Sequence, residues 1–147
     1  VTVRIHVAIT IDARPASVWD SIEDVARHVD WMADAVSITF RSPQRTGIGT
    51  EFECLTRVGP LRTTDVMRIT EWAPRSSMGI EHRGIVTGSG RFTLAPSGTA
   101  ATLFAWDERL SFPWWMGGFI GERAAKPILT RIWRNNLRRL RSQVEAR

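Results

Sequence analysis

The sequence has no tyrosine and a single cysteine, Cys54. One thiol rules out an internal disulfide, and a reducing, cytoplasmic setting is the expectation that follows. No HxxxH or CxxC spacing occurs, and His6, His28 and His82 are scattered along the chain, so neither a metal site nor a cofactor is expected. No apolar run is long enough to cross a bilayer. No basic start followed by an apolar stretch and a small-residue cleavage site points to secretion. There is no GxSxG nucleophile elbow. Gly47-Ile48-Gly49 and Gly88-Ser89-Gly90 do not sit between a strand and a helix as a phosphate-binding loop must, which leaves a nucleotide site unsupported.

What is present is an ordinary globular composition, 43% hydrophobic and 24% charged over 147 residues, enough for one domain spanning residues 1–147. Seven tryptophans supply large apolar area, each with one N–H donor, which suits a core or a greasy pocket. The net charge of +5 and pI near 11.1 fit a nucleic acid partner, an anionic membrane surface, or simply a basic soluble protein. Nucleic acid is not expected, because exposed aromatic platforms that stack on bases are not evident.

Val3, Ile5, Val7, Ile9 and Ile11 alternate with polar residues as in a half-buried strand. Asp12-Ala13-Arg14-Pro15 ends it, and Pro15 suits the first turn of a helix carrying Val18, Trp19, Ile22 and Val25. Asp24 caps a second short helix expected to carry His28, Trp31, Met32 and Ala35. A run of strands follows. Val36, Ile38 and Phe40 share a face, then Phe52, Cys54, Thr56 and Val58. Arg62 to Trp72 alternates less cleanly: either Met67 and Ile69 face inward, or Val66 and Trp72 do. Met78, Ile80 and His82 share a face, Phe92 and Leu94 lie on the next strand, and Thr102, Phe104, Trp106, Glu108 and Leu110 line the last. Short turns between them imply antiparallel neighbours. From Trp115 onward the period is helical, with Leu129, Trp133, Leu137, Leu140 and Val144 as an apolar stripe beside Arg131, Arg134, Arg138 and Arg141. Pro127 should kink or restart this helix. The reading is an α+β fold: a curved antiparallel sheet of about seven strands, two short helices after the first strand, and a long C-terminal helix covering the inner face.

This order is similar to the helix-grip fold of the START-related (SRPBCC) superfamily, which includes the birch-pollen-allergen-like proteins and the bacterial polyketide cyclase/dehydrase and lipid-transport group. Pro15-Ala16-Ser17-Val18-Trp19 with Ile22, Asp24 and Trp31 resembles its opening helices. Gly47-Ile48-Gly49-Thr50 resembles its turn between the second and third strands, and Ile69 to Arg75 its strand ending in proline and arginine. Gly90-Arg91-Phe92 with Leu94, then Gly98-Thr99, resembles its late hairpin. The resemblance covers nearly the whole chain, and the order and spacing of these loose motifs are its specific part. It implies a tunnel between sheet and helix for a lipid, fatty acid, polyketide or terpenoid-like molecule, and it does not by itself supply an activity.

On that frame the candidate ligand-binding residues are Trp31, Phe52, Cys54, Met67, Ile80, His82, Phe92, Trp106, Glu108, Trp115, Phe119 and Trp133. Glu108 among aromatics is a candidate general acid or base; otherwise it sits solvated at a tunnel end or paired with an arginine. His82 is a donor or base to a ligand, or a histidine bonded at the sheet rim. Cys54 reads as a small inner-face residue rather than a nucleophile. Phe112 to Phe119 either packs inward through Trp115 and Phe119 or forms a lip touching an anionic membrane surface. Three functions remain open: a binding module or carrier for a hydrophobic small molecule, a polyketide cyclase/dehydratase-like enzyme using Glu108 and His82 as acid and base, and a protein-interaction module using the basic helix. They part on whether two inner polar residues lie within reach of each other in a closed cavity.

Overall fold

The alternation at the start of the chain forms strand β1, Thr2–Ile11, in which Val3, Ile5, Val7 and Ile11 are buried while Arg4, His6 and Thr10 face out. The structure, a computed structural model, describes residues 2–147, with the side chains of 118–120 and 122 excepted. Helix α1, Pro15–Ile22, begins on its proline and buries Val18, Trp19 and Ile22. Asp24 then accepts the Ala26 N–H at 3.2 Å and caps one stretch of 3-10 helix, Val25–Asp30. This is shorter than the helix expected to carry Ala35. Trp31, at φ −125°, leaves the helical region, and Ala35 opens the next strand.

Strands β2 (Ala35–Phe40), β3 (Glu51–Val58), β4 (Leu61–Ala73), β5 (Ser77–Arg83), β6 (Thr87–Ser97) and β7 (Ala101–Ser111) follow. With β1 they form one seven-stranded sheet in the order β1-β7-β6-β5-β4-β3-β2, every pair antiparallel. Two bulges alter the expected faces. One, between Ala35 and Ser37, turns Val36 out to solvent while Ile38 and Phe40 stay partly buried. The other, between Ile69 and Glu71, adds one residue and resets the phase of β4. Met67 and Ile69 therefore face inward before the bulge, and Trp72 also reaches the core after it, edge-on to Trp19 at 5.2 Å. The first reading therefore holds, and of the second only Trp72 does: Val66, out of phase with Asp65, Met67 and Ile69, joins neither the core nor the cavity wall.

Helix α2, Gly118–Glu145, continues across Pro127 as a single helix, so the expected restart does not occur. Its 28 residues span about 42 Å. Trp133, Leu137, Leu140 and Val144 are buried, Leu129 is half-buried, and Arg131, Arg134 and Arg138 are exposed. Polar bonds lock the C-terminal half in place. Asn136, fully buried, donates to Asp34 Oδ1 at 2.8 Å and accepts from the Ala33 N–H and from Arg139, both at 3.0 Å. Gln143 donates to the Asp30 carbonyl, and Glu145 accepts the Asp12 N–H. Among the described residues no helix is long and apolar enough to cross a membrane.

Candidate ligand-binding cavity

Covering a curved sheet with a helix at one end leaves space at the other. Here a cavity of about 360 Å³ lies between the inner faces of β3–β7 and the first half of α2. Phe52, Cys54, Met67, Ile80, Phe92, Trp106 and Trp133 line it, together with His82 and Glu108. Trp106 stacks on Trp133 at 4.8 Å and 17°, and Phe92 meets Trp106 edge-on at 5.2 Å, so one wall is a continuous aromatic surface. Cys54 is buried, and burial pushes its thiol up to about 11, which makes it inert wall rather than nucleophile.

Two of the expected residues are placed elsewhere. Trp31 is 1% exposed but forms no part of the wall; it packs behind it, 5.7 Å from Phe92 and 5.9 Å from Trp106. Trp115 is 61% exposed and projects away from the cavity, because the short 3-10 turn Trp114–Met116 turns Met116 to the wall instead. The side chain of Phe119 lies outside the described residues.

The polar centre of the cavity is a hydrogen-bonded histidine–carboxylate pair. His82 Nε2 lies 2.9 Å from Glu108 Oε2, with side chains 10% and 5% exposed. Glu108 Oε1 accepts the Trp106 indole N–H at 3.1 Å. The carboxylate is therefore neither solvated at a tunnel end nor paired with an arginine. Burial alone would drive the His82 proton off; the charge and hydrogen bond of Glu108, with Asp65 adding to them, outweigh it and hold the imidazole above its ordinary value. Nδ1 of this ring has no hydrogen-bond partner among the described residues.

The pair forms over glycine. His82 is on β5 and Glu108 on β7, with β6 between them. On β6, Gly88 pairs with His82 and Leu110, and Gly90 pairs with Ile80 and Glu108. A Cβ on Gly90 would stand 2.4 Å from Glu108 Oε1. With no side chain there, the carboxylate lies across the middle strand and reaches the histidine. The Gly88-Ser89-Gly90 segment, unsuited to phosphate, thus serves a different purpose.

Several wall residues escaped the sequence reading. Asp65 is 5% exposed and lies on the wall beside Thr63, which donates to its Oδ2 at 3.1 Å. It shares the phase of Met67 and Ile69, so the alternation of β4 held the signal, but the unsettled phase hid it. His28 is buried and gives a ring N–H to the Ile22 carbonyl at 2.7 Å; burial lowers its pKa and keeps it neutral. Asp34 reaches the wall only through the loop before β2 and its bond to Asn136, which no local pattern announces. Among the described residues no group of three or more histidine, cysteine or acidic side chains could hold a metal ion.

A curved antiparallel sheet gripping a long C-terminal helix over an internal cavity is the START-like helix-grip fold. The sequence matches the family described as polyketide cyclase/dehydrase and lipid transport over residues 2–145, and the chain belongs to that family. No protein of curated function matches it in sequence. Among solved structures it is similar to TTHA0849 from Thermus thermophilus, at 14% identity and a TM-score of 0.81, covering 97% of each chain. It is similar to the ZhuI aromatase/cyclase from a Streptomyces species, at 16% identity and a TM-score of 0.77, covering 99% of this chain and 94% of that one. A START superfamily protein from Mycobacterium smegmatis aligns at 11% identity and a TM-score of 0.80, covering 97% of each chain. At these identities the likenesses establish the fold alone. Family and fold together support hydrophobic ligand binding or a cyclase role.

Proposed function

We propose that the protein binds a hydrophobic small molecule, of lipid, fatty acid, polyketide or terpenoid type, as a carrier or sensor in the cytoplasm. The observation that carries this reading is the 360 Å³ cavity with its stacked Trp106–Trp133 wall. Empty, such a space forfeits contacts that a planar or chain-like apolar guest restores. Native mass spectrometry of freshly purified protein, followed by solvent extraction, tests it together with calorimetric titration of small aromatic probes. A bound mass or probe binding is expected. A bare protein that also binds no hydrophobic probe ends the reading.

One observation favours an enzymatic role at the same place: two inner polar residues, His82 and Glu108, meet inside the cavity. A protonated His82 whose Nε2–H is committed to Glu108 still has Nδ1–H to give. A ligand carbonyl placed against Nδ1 would be polarised, and a proton passed to its oxygen would promote ring closure or loss of water. Glu108 keeps the imidazole charged and oriented. Replacing both by glutamine, with turnover of an extracted substrate unchanged, would refute this assignment.

The approach to the cavity supports ligand exchange at an anionic membrane surface. Trp114 and Trp115 are 82% and 61% exposed beside Met116, which lines the cavity. Leu61 and Ile128, each about half exposed, reach the same cavity from the β3–β4 turn and from α2. An apolar rim on a protein of net charge +5 suits the interface of acidic lipids. Co-sedimentation with phosphatidylserine-containing vesicles is expected, weakened by Trp114→Ala; absence of wild-type binding removes this part of the proposal.

A further inference from the structure

The outer face of the sheet carries a charge cluster that the cavity does not use. Arg4 on β1 stands directly opposite Arg109 on β7, and Ser89 on β6 is the next residue in the same row. All three are exposed. Like charges directly opposite across two strands repel each other. Neither guanidinium has an ion-pair partner among the described residues. Arg4, Ser89 and Arg109 line one groove of about 810 Å³, which Lys126 and Arg134 reach from α2. Arg134 likewise has no ion-pair partner among the described residues. Positive charge from the sheet and from the helix thus converges on one space.

The acids that line the groove are all committed. Asp107 is bonded to His6, and Glu71 accepts from Arg91 and Ser77. Glu108 is turned inward to His82 and Trp106. None remains to neutralise Arg4 and Arg109. The basic surface continues along α2, where Lys126, Arg131, Arg134 and Arg138 border a second groove with no acidic side chain. Repulsion of this kind turns into attraction once an anion enters from outside.

We infer that this groove binds a phosphoryl dianion, carried by a small phosphorylated molecule or by the headgroup of a phosphatidic-acid-type lipid, on the facing pair Arg4 and Arg109 with Arg134 as the third cation. Guanidinium forks match phosphate oxygens bidentately. A tetrahedral dianion has oxygens enough for both forks and for the helix cation together, whereas a planar carboxylate fills one fork. No tryptophan or phenylalanine lines the groove, so nucleic acid bases would find no stacking platform. The groove opens on the face of the sheet away from the ligand cavity, and the inference does not depend on what the cavity holds.

The test is an NMR titration of the full chain with inorganic phosphate at pH 8 and constant ionic strength, with acetate as the comparison anion. Saturable shifts at Arg4, Ser89 and Arg109 are expected, with a Kd on the order of 1 mM and acetate weaker by at least about tenfold. Arg4→Gln combined with Arg109→Gln should weaken phosphate binding by at least about tenfold. Arg57 and Arg62 also face each other, across β3 and β4, but line no part of the groove. Arg57→Gln combined with Arg62→Gln therefore removes the same charge and should leave the Kd within about twofold. Arg134→Gln probes the helix side separately, with an expected loss of at least about threefold. Shifts that never saturate, or equal weakening by the two double variants, overturn the inference, since net charge alone would then be responsible. An oligothymidylate that displaces phosphate at equal phosphate-group concentration would reassign the groove to nucleic acid and overturn it as well. Co-sedimentation with phosphatidic acid vesicles separates the two sources: binding that phosphate competes away and the Arg4/Arg109 double variant loses identifies the headgroup, and vesicle binding indifferent to both identifies a soluble phosphorylated ligand. Either result supports the phosphoryl site.

Discussion

Replacing Glu108 by glutamine isolates the charge of the buried pair. Glutamine keeps the shape and leaves an oxygen for the Trp106 N–H, but it takes the anion away from His82. In the wild type the imidazole is held above its ordinary 6.5, so the folded protein binds that proton more tightly than the unfolded chain. This stabilisation is complete below pH 6.5 and is lost as the pH rises through the folded value. In the variant, burial, the largest influence on the ring, prevails over Asp65 and sends the folded value below 6.5. The histidine then stays neutral when folded, and stability is lost as the pH falls. The two curves therefore diverge toward acid. Removing one partner of a buried pair costs about 3–5 kcal/mol. The low end applies, because His82 can shed its proton, so about 3 kcal/mol is expected near pH 6. With a urea m-value of about 2 kcal/mol/M, the midpoint falls by about 1.5 M. At pH 9 the gap should shrink toward about 1 kcal/mol, the worth of an ordinary hydrogen bond. The contribution of His28 is common to both proteins and cancels. Urea melts of both proteins at pH 6, 7, 8 and 9 give the comparison. A difference constant across that range, or one below about 0.5 kcal/mol at pH 6, would show that the pair is not charged in the folded state.

Gly90→Ala should destabilise by about 1–3 kcal/mol, because its Cβ displaces the Glu108 carboxylate, and the His82 titration followed by NMR should move down with it; an unmoved titration contradicts the bridge over glycine. Cys54, with its thiol raised to about 11, should resist a disulfide reagent at pH 8 in the native protein and react at once in urea. Native reaction at the rate of a free thiol would place it outside the cavity wall. Asn136→Ala leaves Asp34 and the Ala33 N–H unpaired and should cost at least about 2 kcal/mol in denaturant melts; a loss under about 0.5 kcal/mol would deny that this asparagine anchors α2.

The sequence by itself determined the architecture. Period-two alternation in β1 and β7, the proline-led α1, and the Trp133–Leu137–Leu140–Val144 stripe are local patterns, and each segment could bury its apolar face in one way only. The same alternation placed His82, Phe92, Trp106 and Glu108 on the inner face, where the cavity wall has them. Other features were beyond local reading because they are set by partners distant in the chain. The bulges that expose Val36 and let both Met67 and Trp72 face inward are decided by pairing with the neighbouring strands. Asp65 was obscured with them. Trp31 and Trp115 carry similar apolar weight in sequence, yet one seals the core behind the wall and the other stands in solvent, since neither lies on a long periodic element. The meeting of His82 and Glu108 was decided by tertiary structure alone. They are 26 residues apart on strands that do not pair with each other, and only the placement of β6, with glycine between them, brings imidazole and carboxylate to 2.9 Å.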